Sequence, residues 1–271
     1  MKIRIIAAAV LLPLLLVMVL LLPKFCTAIV FGLIAAIGAR ELLVGAGLAE
    51  QPRLPVYAMI MAFFVVLWSS MWSVYTLLLL GVFGMFCVLF GEFLIFHKEL
   101  SFEKIAVTFM AGWVIPFLLG AVVRIHNQLF GRVFILLPFV IAFSSDTFAY
   151  FAGRFYGRHK LAPTISPNKT VEGLLGGLLG SVIGVVIYCL VMDKVIRLQV
   201  QYWYVPVYGI LGSLGAVFGD LCFSAVKRQT GIKDYGNLIP GHGGVLDRFD
   251  SMIVVAPLVE LLMLYIPMVV K

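Results

Sequence analysis

The stretch Ser224–Asp250 gathers side chains suited to phosphate and metal chemistry. Lys227, Arg228, Lys233 and Arg248 can neutralise phosphate oxygens, the arginines through bidentate contacts. Gly241, Gly243 and Gly244 let backbone N–H groups approach an anion closely. Asp220, Asp247 and Asp250 supply hard oxygen ligands of the kind Mg2+ takes when it bridges phosphates. Asp220, Ser224 and Lys227 stand at i, i+4 and i+7, so one helix face carries all three. Asp247 and Asp250 are spaced i, i+3 and can point the same way, although acids at a helix start also serve simply as caps. The glycines do not form a Walker A loop, because GxxxxGK[ST] is absent. His242 is the one histidine in the stretch. With His97, His126 and His159 elsewhere and no thiol beside it, zinc is disfavoured.

The elements that must position these groups are membrane helices. The chain has 271 residues, 63% hydrophobic and 12% charged, with a mean hydropathy of +1.11. A soluble domain carries about a quarter charged residues. The apolar residues fall in long blocks rather than stripes, which calls for lipid as solvent. The expected fold is an all-α polytopic membrane protein of about nine spans. They are Ile5–Leu22, Phe25–Gly45, Leu54–Ser70, Val74–Phe96, Ile105–Val123, Val133–Gly153, Gly173–Met192, Val205–Val226 and Ser251–Val270. Lys2 and Arg4 before the first block resemble a signal peptide, but that block is long enough to span and reads as a retained helix.

One integral membrane domain is expected, with spans one to five over 1–123 and a catalytic part, spans six to nine, over 133–271. With the N-terminus in the cytoplasm, that side holds 13 lysines and arginines. The other side holds 6, namely Lys24, Arg124, Arg132, Lys194, Arg197 and Lys271, and Arg40 lies inside a span. The positive-inside rule therefore puts the N-terminus and the two long loops, 154–172 and 227–250, in the cytoplasm. The net charge of +7 is spread between apolar blocks, which favours anionic lipid or nucleotide over nucleic acid. Cys26, Cys87, Cys189 and Cys222 lie far apart and read as small core residues rather than a disulfide or zinc framework. Connections of about 20 residues in a compact protein are usually functional or disordered. Asp146 and Asp220 lie inside expected spans, where a carboxylate is a functional candidate by default. Arg40 and Glu41, inside the second span, read as a mutually satisfied or span-end pair outside the catalytic set. The run Gly173–Gly184 has small-xxx-small spacing, which predicts close helix packing more than nucleotide binding, with a homodimer interface as one use.

The run from Ser224 to Asp250, SAVKRQTGIKDYGNLIPGHGGVLDRFD, closely resembles the signature of phosphatidate cytidylyltransferases, also called CDP-diacylglycerol synthases. Ser166-Pro-Asn-Lys-Thr-Val-Glu-Gly173 and Ser145-Asp-Thr-Phe-Ala-Tyr150 look like two further runs of that family. The close resemblance covers roughly Asp146–Asp250, while the first five spans match only as generic membrane helices. It implies an integral enzyme of the cell membrane, its site facing the cytoplasm, that converts CTP and phosphatidic acid to CDP-diacylglycerol and pyrophosphate. It further implies Asp220 and Asp247 as principal metal ligands, with Asp146 and Asp250 supporting. Lys169, Lys227, Arg228, Lys233 and Arg248 would clamp phosphates, Ser166 and Ser224 would donate hydrogen bonds, and Asp234 and the glycines would line the substrate. His242 would contact phosphate or assist proton transfer. The implied cofactor is Mg2+, with room for a second, monovalent cation. Two other readings compete: a CTP-dependent lipid kinase, and a transporter using Asp146 and Asp220 as an ion relay.

Overall fold

A computed structural model describes residues 13, 15–71, 74–238 and 243–269. In chain order its main elements are α1 (Lys24–Gly45), α2 (Arg53–Trp68), α3 (Val74–Ile95), α4 (Phe102–Asn127) and α5 (Leu137–Tyr156). They continue with β1 (Lys160–Ala162), β2 (Ser166–Thr170), α6 (Val171–Lys194), α7 (Val205–Gln229), α8 (Leu246–Phe249) and α9 (Met252–Tyr265). Among the described residues six helices are long and apolar enough to cross a membrane: Lys24–Gly45, Tyr75–Ile95, Phe102–Asn127, Gly131–Tyr156, Val171–Lys194 and Tyr202–Gln229. The helical membrane class expected from composition therefore holds. Two expected spans are shorter helices here, α2 with 16 residues and α9 with 14. Of the expected span Ile5–Leu22, residues 5–12 and 14 lie outside the described residues, and residues 15–21 are helical. All four cysteines are free, and Cys87 and Cys222 are exposed on the apolar surface rather than in the core.

The chain separates into two compact units, Met1–Arg132 with Gln229–Phe249, and Val133–Arg228 with Asp250–Lys271. In the first unit α1 packs on α2, and α2 meets α4 where Gly112 lies against Ala58 and Met85. A π-helical turn, Met110–Val114, interrupts α4 just before Pro116, with the Ile115 N–H reaching back to the Met110 carbonyl. Proline cannot donate, so a widened turn ahead of it is the familiar accommodation. Glu92 of α3 fastens α2 to α3: Tyr57 donates to its Oε1 at 2.6 Å and Arg53 lies 3.7 Å from its Oε2.

In the second unit α5 and α6 are the closest pair, and the glycine run explains why. A Cβ on Gly176 would collide with Ala152, one on Gly180 with Phe148, and one on Gly177 would sit 3.2 Å from the Ser145 carbonyl. The small residues therefore work inside this chain, letting two backbones approach without a hydrophobic driving force between them. α7 joins the pair through the Ser145–Ser213 hydroxyl contact of 2.7 Å and through Gly212 against Ile141. Its Gly219 lies against the start of α9, where a Cβ would come 2.6 Å from the Asp250 carbonyl. Loop 154–172 carries an antiparallel hairpin, with Lys160 opposite Thr170 and Ala162 opposite Ser166.

Candidate active site

In the second unit the site is built around Asp220 of α7, whose side chain is 33% exposed. The Ser224 hydroxyl, one turn on, donates to Asp220 Oδ1 at 3.0 Å. Lys169 Nζ lies 2.6 Å from Asp220 Oδ2. Lys169 reaches it from β2, and the next residue, Thr170, ends that strand and caps α6 by accepting from the Gly173 N–H at 3.0 Å. One short segment thus sets the hairpin, the helix start and the lysine together. Arg228, at the end of α7, donates from Nε to the Ile165 carbonyl at 3.2 Å, so the turn between the strands is held as well.

Asp250 stands beside this group. Burial pushes its carboxyl up to about 7, the neighbouring Asp220 charge adds to the rise, and Asp146 adds a smaller share. Lys227 and the Ser251 N–H, which donates to Asp250 Oδ1 at 2.7 Å, pull the other way. Lys169, Asp220 and Ser224 are thus in direct contact, and the charges of Asp220, Lys227 and Asp146 all act on Asp250. Acids crowded at low dielectric are relieved by a cation. Among the described residues no group of three or more His, Cys, Asp or Glu surrounds a single point. The donor set still suits Mg2+, which commonly takes one or two carboxylates and completes its shell with water and substrate phosphate.

In the first unit the signature folds on two buried carboxylates. Asp247 Oδ2 accepts from the Tyr235 N–H at 2.9 Å and the Gly244 N–H at 3.0 Å, drawing together residues 12 and 3 positions away. Gly243 makes the required turn with φ +83°, a conformation that excludes most side chains. A Cβ there would also sit 3.0 Å from Asp247 Oδ2 and 3.4 Å from Asp234 Oδ1. Lys233, Asp234 and Arg248 are exposed. Gly241 and His242, both expected in the site, lie outside the described residues. Ser166 stands at the start of β2.

The second buried carboxylate is Glu41 of α1. Its Oε1 accepts from the Val245 N–H at 3.0 Å and its Oε2 from the Leu246 N–H at 2.8 Å. Sequence reasoning set this residue aside. The signal was its place: a 6% exposed carboxylate inside an apolar helix must be satisfied by something. Its partners are more than 200 residues away, beyond the reach of any local pattern.

A sequence profile of the Cytidylyltransferase family matches residues 2–266. The chain belongs to this family. Curated relatives include the phosphatidate cytidylyltransferase of Staphylococcus saprophyticus, 42% identical over 136 residues, which are 50% of this chain and 51% of that protein. The phosphatidate cytidylyltransferase of Bacillus subtilis is 36% identical over 164 residues, 60% of each chain. That of Staphylococcus aureus strain COL is 40% identical over 134 residues, 49% of this chain and 50% of the relative. The chain spans about half the length of the staphylococcal relatives it matches.

Proposed function

We propose that this protein is a phosphatidate cytidylyltransferase, transferring CMP from CTP to phosphatidic acid and releasing pyrophosphate. The observation that carries the reading is the Lys169–Asp220–Ser224 cluster with Asp250 beside it. Cation, carboxylate and hydroxyl stand together on the segments that resemble the family's runs, in a chain that belongs to the Cytidylyltransferase family. The lipid's phosphate oxygen attacks the α-phosphorus of CTP, a new P–O bond forms, and the bond to pyrophosphate breaks. The attacking oxygen is already anionic near neutral pH, so no strong base is called for. The obstacle is repulsion between two polyanions, which fixed cationic and hydrogen-bonding groups must offset.

Asp220, with Asp250 beside it, would hold Mg2+, and Asp146 adds negative charge to that neighbourhood. Bound there, the ion supplies charge neutralisation of the triphosphate and of the departing pyrophosphate. Lys169 and Lys227 hold phosphate oxygens, Ser224 orients Asp220, and Arg228 holds the hairpin that carries Lys169. In the signature, the resemblance implies phosphate contacts for Lys233 and Arg248 and a metal for Asp247, which also keeps its own loop folded. Nine spans with a cytoplasmic N-terminus and a cytoplasmic site complete the reading, supported by the 13-to-6 distribution of basic residues.

CTP labelled at either end tests the reaction. Purified protein with phosphatidic acid and Mg2+ should place the α-32P label, and never the γ-32P label, on lipid. Lipid carrying only the γ label would make the protein a kinase. Substrate flux in proteoliposomes without CTP turnover would make it a transporter.

A further inference from the structure

Glu41 is a carboxyl group buried near the C-terminal end of α1, and the signature backbone closes around it. The Val245 and Leu246 N–H groups are each given to one of its oxygens. Two signature glycines close on the same carboxylate. A Cβ on Gly236 would lie 2.5 Å from Glu41 Oε1, 2.9 Å from Cδ and 3.2 Å from Cγ, so its three nearest neighbours all belong to Glu41. A Cβ on Gly244 would lie 2.6 Å from Glu41 Oε2 and 2.7 Å from the Gly236 N–H nitrogen. Immediately beyond those two N–H groups comes Asp247, whose own carboxylate returns to Tyr235 and Gly244. The two acids thus meet the same two backbone stretches, Tyr235–Gly236 and Gly244–Leu246. One acidic group that the glycine-rich backbone approaches is therefore a side chain of the protein itself.

We infer that Glu41 is a positioning residue for the reaction: it holds Gly236 and Gly244–Leu246, and through them fixes Asp247 and Arg248. This rests on the cytidylyltransferase reading for its kinetic consequence, but not for its structural one. An ionised carboxylate accepts two backbone N–H bonds at once, each stronger than a neutral bond. Glutamine presents one acceptor oxygen and turns an NH2 group toward the other N–H, so the charge and one bond are lost. Glu41→Gln should loosen the loop while leaving α1, an apolar helix with its own internal hydrogen bonds, in place.

The experiment uses the full chain in detergent and has two arms. Hydrogen exchange reads the structure: in Glu41→Gln and Glu41→Ala, the amides of Tyr235, Gly236 and Gly244–Phe249 should exchange faster, those of α1 and α6 unchanged. Unaltered exchange at Val245 and Leu246 would overturn the anchor. Kinetics read the consequence: kcat should fall by up to about 100-fold, the scale of a catalytic group displaced by an ångström, with Glu41→Asp partly restoring it. Loosened exchange with wild-type kcat would overturn the positioning role. A double-mutant cycle adds a readout that general destabilisation would not give. Gly236→Ala should cost about tenfold in kcat alone but little in a Glu41→Ala background, because the group it collides with is gone. Additive losses would overturn the pairing. Should the unaltered protein transfer no CMP at all, the reaction assignment fails while the exchange arm still decides the anchor.

Discussion

Asparagine at position 220 would keep the shape of the side chain and the acceptor for Ser224 while removing the charge that Lys169 meets at 2.6 Å. We expect Asp220→Asn to lower CMP transfer by about 100- to 1,000-fold, the cost of one preorganised electrostatic group. Initial rates at saturating CTP and Mg2+ check this, and a loss below tenfold would remove Asp220 from the centre of the site. Asp247 is expected to fail differently. Asp247→Ala strands the buried Tyr235 and Gly244 N–H groups and should cost about 1–3 kcal/mol, read as a lower thermal midpoint in detergent, whereas Asn retains an acceptor and should cost less. The face formed by Asp220, Ser224 and Lys227 was legible, because helical spacing alone puts them together. Glu41 was not. What satisfies it is backbone brought from the far end of the chain, and no window of sequence contains both.

At the scale of elements, the glycine run announced close packing but not its partner. Spacing says that a backbone can be approached, and only the fold supplies α5 as the helix that approaches it. Gly180 decides the matter, since a Cβ there meets the Cβ and ring of Phe148. Gly180→Ala should destabilise by about 1–3 kcal/mol through overpacking. Thermal unfolding in detergent checks this, and an unchanged midpoint would mean that α5 and α6 separate freely. The hairpin β1–β2 is the element that apolar periodicity could not signal: its strands have only three and five residues, and the longer is largely polar. Its consequence is local but chemical, because it aims Lys169. Thr170→Ala removes the cap on Gly173 and should cost about 1 kcal/mol.

For the whole molecule, composition was enough to name the solvent, since long apolar blocks with 12% charge fit only lipid. It could not show that the signature, continuous in sequence, is shared out: Lys227, Arg228 and Asp250 fold with the second unit and residues 229–249 with the first. Such a division arises from contacts between distant segments, which charge and hydropathy do not encode. Orientation, by contrast, rests on charge alone and is open to a direct test. α6 separates Arg158, before its start, from Lys194, at its end with 77% of its side chain exposed. In a version lacking the four native cysteines, Lys194→Cys should react with an impermeant maleimide in intact cells, and Arg158→Cys only after the membrane is opened. The reverse pattern would invert the topology and put Lys169 on the side without CTP, and with it the proposed reaction would fall. Reaction of both from outside would mean that α6 does not cross. The expected pattern requires α6 to span and the basic loops to face the cytoplasm, where the nucleotide is.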